Sequence, residues 1–295
     1  MRPPERPYII PIFISHLGCP FQCLYCQQER ITAQAKWLPT PAAIDERVEA
    51  FLKTRKRGKY SHTEIAFYGG TFTGLAPDRM EGLLRAAHRF LASGEVRNLR
   101  ASTKPDYLDA DKLDLLWRYG MDTVELGVQS LNDEVLRQVG RGYQASDVER
   151  AVALLKERGM KVGIQLMQGL PGGDESEALE SARRAIALGP DFVRLYPTVV
   201  LEGTALAELY RRGLYHPWSL EQAVAVCREL ESLFDAAGIP IIKLGLEFSS
   251  DEKEGILAGP YHPRFRELLA CSKKTPGVGG SPVANRFSRW SREAL

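Results

Sequence analysis

Residues 18–28 read GCPFQCLYCQQ and hold three of the five cysteines of the chain, Cys19, Cys23 and Cys26, at C-x3-C-x2-C spacing. Thiolates are the soft ligands that hold iron–sulfur clusters, and three of them leave one iron of a four-iron cube without a protein ligand. An open iron offers a binding place for a substrate or cofactor, which a cluster with four thiolates does not. A four-iron cluster with one open iron is therefore one use that three closely spaced cysteines allow.

Two other uses of these cysteines stay open at this point. With His16 they could bind zinc as a Cys3His site, although such sites usually contain C-x2-C pairs, and only Cys23 and Cys26 form one here. A disulfide would leave one cysteine of the motif unpaired. The isolated Cys227 lies among apolar residues of a predicted helix, which indicates a buried structural thiol, and Cys271 stands alone.

The chain outside the motif alternates between short apolar runs and amphipathic stretches. The predicted strands are residues 9–14, 63–68, 96–103, 123–130, 161–167 and 192–197, with a last one at 239–246. The predicted helices are residues 42–54, 77–91, 109–119, 146–158, 176–188 and 219–234. This alternation predicts an α/β fold with parallel strands. The first strand leads directly into the cysteines, so they follow its carboxyl end, where α/β folds bind ligands.

Other unusual residues lie in or directly after the predicted strands. The second strand ends in Gly69-Gly70-Thr71, where glycines either let the backbone approach a ligand or form a tight turn. Gln165 interrupts an apolar strand and needs hydrogen-bond partners if it is buried. Arg194 in the sixth strand would be costly to bury alone, which argues against a purely structural role.

The cysteine motif, with Tyr25 directly before its last cysteine, and the Gly-Gly-Thr segment resemble the radical S-adenosylmethionine (radical SAM) enzymes. The resemblance implies a partial TIM barrel of about six parallel β/α units. It implies that Cys19, Cys23 and Cys26 hold a [4Fe-4S] cluster and that the free iron binds SAM through its amino and carboxylate groups. One-electron reduction then cleaves a C–S bond of SAM and yields a 5′-deoxyadenosyl radical.

The resemblance also implies a shell of residues around SAM. The backbone of Gly69, Gly70 and Thr71 would hold the methionine amino group. Gln129 would face the ribose or carboxylate and Arg141 would pair with the carboxylate, since arginine binds carboxylates with two parallel hydrogen bonds. Without the resemblance, packing at a barrel mouth would be the better explanation of Gln129, and a solvated helix end that of Arg141. The remaining expected contacts to SAM or substrate are Tyr25, Ser102, Gln165 and Arg194.

Two branches of the family are similar to this chain, and together the likeness covers residues 8–270. The Gly-Gly-Thr form and residues 194–219 resemble the Elongator catalytic subunit, and residues 123–143 resemble anaerobic coproporphyrinogen dehydrogenase. The Elongator-like segment suggests RNA modification, with tRNA as the substrate, and the family implies a reductase or a flavodoxin- or ferredoxin-type electron donor. An acetyltransferase domain does not fit in 295 residues, so we expect no acetyl-CoA chemistry from this chain alone.

Composition and segment character set the remaining expectations about the core, the domain boundaries and the cellular compartment. Hydrophobic residues make up 44% and charged residues 26%, enough for a full core, and the net charge of +2 argues neither for nor against a polyanionic partner. We expect residues 1–246 to form the barrel, 247–271 an extension packed on it, and 272–295 a flexible tail. No signal peptide or membrane-spanning run is evident, and clustered free cysteines indicate the reducing cytoplasm.

The sequence therefore predicts an enzyme that binds a [4Fe-4S] cluster and cleaves SAM reductively. Two alternatives remain. One is a cluster- or SAM-binding regulatory or carrier protein without catalysis, and the other is a zinc-stabilised binding module. Iron and sulfide content separates the zinc module from the other two, and SAM cleavage separates the enzyme from the carrier.

Overall fold

Strands alternating with helices form the frame of the molecule. The computed structural model describes residues 6–14, 17–19, 23–26, 38–56, 60–248 and 253–271. The strands are β1 Tyr8–Phe13, β2 Thr63–Tyr68, β3 Asn98–Thr103, β4 Met121–Gln129, β5 Lys161–Gln168, β6 Phe192–Pro197, β7 Val200–Leu201, β8 Ile241–Leu244 and β9 Ile256–Ala258. The helices are α1 Pro41–Thr54, α2 Pro77–Ala92, α3 Ala110–Arg118, α4 Asp133–Gln138, α5 Ala145–Glu157, α6 Glu175–Leu188, α7 Ala205–Arg211, α8 Leu220–Ala236 and α9 Phe265–Cys271.

Within the described ranges, seven of these strands form one sheet in the order β1-β2-β3-β4-β5-β6-β8. Each neighbouring pair is parallel, and the sheet curls into a half-barrel with the helices outside. This confirms the predicted α/β partial TIM barrel, with β8 as a seventh strand. The short strands β7 and β9 pair antiparallel with each other beside the barrel.

Helix starts follow local capping signals. The side chains of Asp109, Asp174 and Ser219 accept hydrogen bonds from backbone amides two or three residues into α3, α6 and α8, at 2.8–3.1 Å. A proline is the first residue of both α1 and α2, where its missing amide hydrogen costs nothing. Each side-chain cap contributes about 1 kcal/mol. The predicted starts of the six long helices agree with the structure to within one residue.

Apolar side chains from the strands pack against the apolar faces of the helices. Representative fully buried members of this core are Ile10, Phe67, Val124, Ile164 and Leu195. The predicted buried thiol is confirmed, because Cys227 on α8 is completely inaccessible, and burial raises its pKa to about 12.

The chain after β8 returns to the barrel. Phe265 and Leu269 of α9 join the main apolar core. The expected boundaries at residues 246 and 271 remain predictions, and the expected tail at 272–295 lies outside the described residues. The short elements α4, α7, β7 and β9 were not predicted, since segments of two to seven residues show little periodicity. In the part of the chain described here, no helix is long and apolar enough to cross a membrane.

Candidate active site

A cavity of about 500 Å³ lies at the carboxyl ends of the barrel strands. The cysteine segment forms one wall, and residues in or after β2 to β6 form the opposite one. The structure brings together all of the site residues predicted from the sequence: Cys19, Cys23, Tyr25, Cys26, Gly69, Gly70, Thr71, Ser102, Gln129, Arg141, Gln165 and Arg194. Their individual roles stay predictions, but their convergence on one cavity is a property of the fold.

Glycines seat the cysteine segment on the loop that follows β2. Gly18 has a φ of +73°, and a Cβ there would overlap the carbonyl oxygen of Thr71 and the backbone of Gly74. A Cβ on Gly70 would overlap the carbonyl oxygen of Leu17, which accepts a hydrogen bond from the Thr71 amide at 3.1 Å. These glycines therefore let two loops touch backbone to backbone, a role for Gly70 besides the SAM contact that the family resemblance implies.

Residues much later in the chain contact Leu24 and Tyr25, which lie between Cys23 and Cys26. The Leu24 amide donates to the carbonyl of Val139 at 3.2 Å, and the Leu24 carbonyl accepts from the Leu206 amide at 2.8 Å. Tyr25 packs between two small apolar clusters, one around Val135 and one around Leu206. The start of α7, which sequence analysis missed, thus positions the cysteine loop.

Two cysteine sulfurs have polar side-chain partners. The Sγ of Cys19 lies 3.1 Å from Oγ1 of Thr71, and the Sγ of Cys23 lies 3.2 Å from Nη1 of Arg141. Across the described ranges, no three His, Cys, Asp or Glu side chains converge to hold a single metal ion. A cubic cluster makes no such demand, because each thiolate binds a different iron. The alternative zinc ligand His16 lies outside the described residues.

Arg141 is buried beside the cysteines with each of its nitrogen groups engaged. Its Nε donates to the hydroxyl of Tyr143 at 3.1 Å, its Nη2 donates to the carbonyl of Gly127, and its Nη1 also lies 3.4 Å from the hydroxyl of Tyr25. Burial raises the pKa of Tyr143 to about 12, so this hydroxyl stays protonated. Arg141 is therefore a fixed cation in the cavity wall, and the solvated helix-end explanation is wrong.

Gln129 ends β4 in an unusual conformation. Among the described residues it is the one non-glycine with positive φ, at 70°, and it follows a β-bulge after Gly127. A left-handed conformation in a non-glycine residue costs about 1–3 kcal/mol and often marks a functional position. The Oε1 of Gln129 accepts a hydrogen bond from Nε2 of Gln165 at 3.2 Å. The two amides thus form a linked pair that faces the cavity.

The floor of the cavity contains a network of buried charges. Glu125 lies 2.6 Å from Nε of Arg194 and 3.0 Å from Nη1 of Arg100, and Arg100 also lies 2.5 Å from Glu64. The hydroxyl of Tyr68 donates to Glu125 at 3.1 Å. Burial and the nearby carboxylate raise the pKa of Tyr68, so it remains a donor. Arg194 is thus paired with Glu125 inside the protein. This ion pair and a contact with a ligand are equally good explanations for its burial.

Sequence reasoning missed several residues of the cavity lining, namely Tyr68, Lys104, Glu125, Tyr196 and Lys243. Glu125 stands between valine and leucine in β4, a pattern that could have indicated an inward-facing carboxylate. Lys104 comes directly after β3, and its Nζ lies 3.3 Å from Asp106. Ligands bind at the carboxyl ends of barrel strands, so treating every polar residue at these ends as a candidate would have included Lys104.

Comparison with known proteins places this site in a family. The radical SAM superfamily model matches residues 13–185, and the Radical_SAM C-terminal domain model matches residues 190–275. The chain belongs to the radical SAM superfamily. It is therefore an enzyme of this superfamily, and its cofactors are a [4Fe-4S] cluster and SAM.

Two relatives in sequence match most of this chain. An uncharacterised protein of Methanocaldococcus jannaschii is 31% identical over 78% of this chain and 73% of its own length. The tRNA uridine(34) acetyltransferase of the same organism is 34% identical over 67% of this chain and 39% of its own length. This chain thus spans well under two thirds of that acetyltransferase.

Solved structures confirm the radical SAM fold. Elp3 of Methanocaldococcus infernus superposes with a TM-score of 0.70 at 24% identity, over 92% of this chain and 63% of that one. Coproporphyrinogen III oxidase of Escherichia coli gives a TM-score of 0.57 at 22% identity, over 80% of this chain and 54% of that one. These structures show the fold, and the sequence relatives confirm the branch expected from the sequence.

Proposed function

We propose that Cys19, Cys23 and Cys26 hold a [4Fe-4S] cluster with one open iron and that the chain binds and reductively cleaves SAM. The observation that supports this most is the shared cavity, in which three half-buried cysteines face the polar strand ends. The donor set fits the group, because three thiols meet the need of three irons and leave the fourth open. When bound, the cluster and SAM would supply one chemical capability, the one-electron reductive cleavage of SAM that yields a 5′-deoxyadenosyl radical.

The residues of this chain would bind and orient SAM. Gly69, Gly70 and Thr71 present backbone at the cluster-side wall, and Gln129, Gln165 and Arg141 offer amide and guanidinium groups to a ribose and a carboxylate. Tyr25, Ser102 and Arg194 complete the proposed set.

SAM cleavage is the direct test of this proposal. The protein is reconstituted anaerobically with iron and sulfide, then given dithionite and SAM, and 5′-deoxyadenosine is measured by chromatography. We expect Cys23→Ala to abolish the product and Cys227→Ala, which removes a buried thiol outside the cavity, to retain it. A full cluster without cleavage in the unaltered chain would favour the non-catalytic carrier, and zinc without a cluster would favour the binding module.

For the substrate we propose RNA, with tRNA as the RNA class and a flavodoxin- or ferredoxin-type protein or a reductase as the electron donor. The support is the similarity to tRNA uridine(34) acetyltransferase and to Elongator complex protein 3, the human form of which is 29% identical over 83% of this chain. Nucleoside profiles of tRNA from a deletion strain and its parent test this. We expect one modified nucleoside to disappear, and identical profiles would contradict the tRNA proposal.

A further inference from the structure

Two side chains of the cavity wall approach sulfurs of the cysteine motif. The Thr71 hydroxyl lies 3.1 Å from the Sγ of Cys19, and Nη1 of Arg141 lies 3.2 Å from the Sγ of Cys23. A cysteine that ligates iron is a thiolate and has no proton to donate. The hydroxyl and the guanidinium are then the donors, so one neutral and one cationic donor serve two different sulfurs.

Other hydrogen bonds position both residues. The Thr71 amide donates to the Leu17 carbonyl, which fixes the Thr71 backbone beside the cysteine segment. The Arg141 guanidinium is held by the Tyr143 hydroxyl and the Gly127 carbonyl, and the Tyr143 hydroxyl itself lies 2.7 Å from the Val128 carbonyl. Thr71 is 1% exposed and Arg141 is 6% exposed, so water competes little for either donor.

Reduction of the cluster adds one electron from an external donor and breaks no bond. With three thiolate ligands, a [4Fe-4S] cluster changes its total charge from −1 to −2. Hydrogen bonds to the sulfurs and a nearby positive charge stabilise the more negative state, and the low polarity of the surroundings strengthens both effects. We propose that Thr71 and Arg141 are positioning residues that raise the reduction potential of the cluster. This role rests on the proposed function and is additional to the SAM contacts that the family resemblance implies.

The test is a potentiometric titration of the reconstituted cluster, followed by electron paramagnetic resonance and carried out without SAM. We expect Arg141→Gln to lower the equilibrium constant for one-electron reduction about tenfold, a shift of about 59 mV to more negative potential. Thr71→Val should lower it about threefold, and Thr71→Ser, which keeps the hydroxyl, should restore the potential of the unaltered chain. Arg137→Gln is the matched control, because it removes the same charge from an exposed ion pair with Glu134 outside the cavity lining, and we expect no change in potential.

Each outcome has a defined meaning. If Arg141→Gln and Thr71→Val bind four irons per chain and titrate at the unaltered potential, the tuning role is wrong while cluster binding stands. If the unaltered chain assembles no cluster, the proposed function itself fails. Should Arg141→Gln take up no iron, the Thr71 pair decides: a shift in Thr71→Val that Thr71→Ser reverses supports the proposal, and equal potentials overturn it.

Discussion

Glu125 lies between two arginines in the floor of the cavity, and Glu125→Gln would remove its charge while keeping its shape. Arg194 would lose a carboxylate at 2.6 Å, whereas Arg100 would keep its ion pair with Glu64. Removing one partner of a buried ion pair costs about 3–5 kcal/mol. The Arg194 side chain is 17% exposed toward the cavity, so water offsets part of the loss. We therefore expect the free energy of unfolding to fall by about 3 kcal/mol, the lower end of that range.

Urea unfolding of the purified chain measures this change. For a chain of this size, an m-value near 3 kcal/mol/M converts the loss into a midpoint lower by about 1 M. The matched control is Glu134→Gln, which breaks an exposed pair with Arg137 and should leave the midpoint close to that of the unaltered chain. If both variants unfold at the same midpoint, the reasoning about buried charge is refuted. Adding Arg194→Met to Glu125→Gln should recover stability, because it removes the unpaired charge.

Three further outcomes follow from the structure. Gly18→Ala should lower the iron bound per reconstituted chain by more than about half, because its Cβ would overlap the Thr71 carbonyl and displace the cysteine loop. Cys227, whose pKa burial raises to about 12, stays a neutral thiol as the pH rises to 9, so iodoacetamide should alkylate it only after unfolding, as followed by mass spectrometry. Tyr215→Phe removes a 2.6 Å hydrogen bond to the Gly169 carbonyl and should cost about 1 kcal/mol in urea unfolding.

The Gly18→Ala prediction has a control variant, and the other two predictions each have an outcome that would contradict them. Gly94→Ala also has positive φ but meets open space, so it should lose about 1 kcal/mol of stability without loss of iron. Alkylation of Cys227 in the folded chain at pH 8 would show that α8 is less tightly packed than described. Stability of Tyr215→Phe equal to that of the unaltered chain would mean that water replaces the hydroxyl at Gly169.

The frame of the barrel could be predicted because its signals are local. Apolar runs such as residues 63–68 end at glycines, and helix starts carry caps such as Asp109 and Ser219. The β7–β9 pair could not be predicted, since its partners are separated by more than fifty residues and too short to show a period. α7 was not predicted for the same reason, although the Leu206 amide in its first turn donates to the Leu24 carbonyl of the cysteine loop.

The convergence of the motif residues on one cavity was predictable from the motifs, but the pairing between their side chains was not. Cys23 and Arg141 are 118 positions apart, and nothing in the spacing of either motif indicates that their side chains meet. Glu125 and Arg194 lie on β4 and β6, so β5 separates them in the sheet, and their ion pair depends on the curl of the half-barrel. The twist of parallel strands follows from backbone sterics that all strands share, so the linear pattern does not show which side chains of β4 and β6 it brings together.

Three cysteines are proposed to hold a four-iron cluster and to leave one iron for SAM. Mössbauer spectroscopy of the chain reconstituted with ⁵⁷Fe, recorded before and after addition of SAM, tests this arrangement. We expect one [4Fe-4S] cluster per chain and a change in the signal of one iron in four when SAM is added. Absence of a cluster, or four irons whose signals do not respond to SAM, would contradict it.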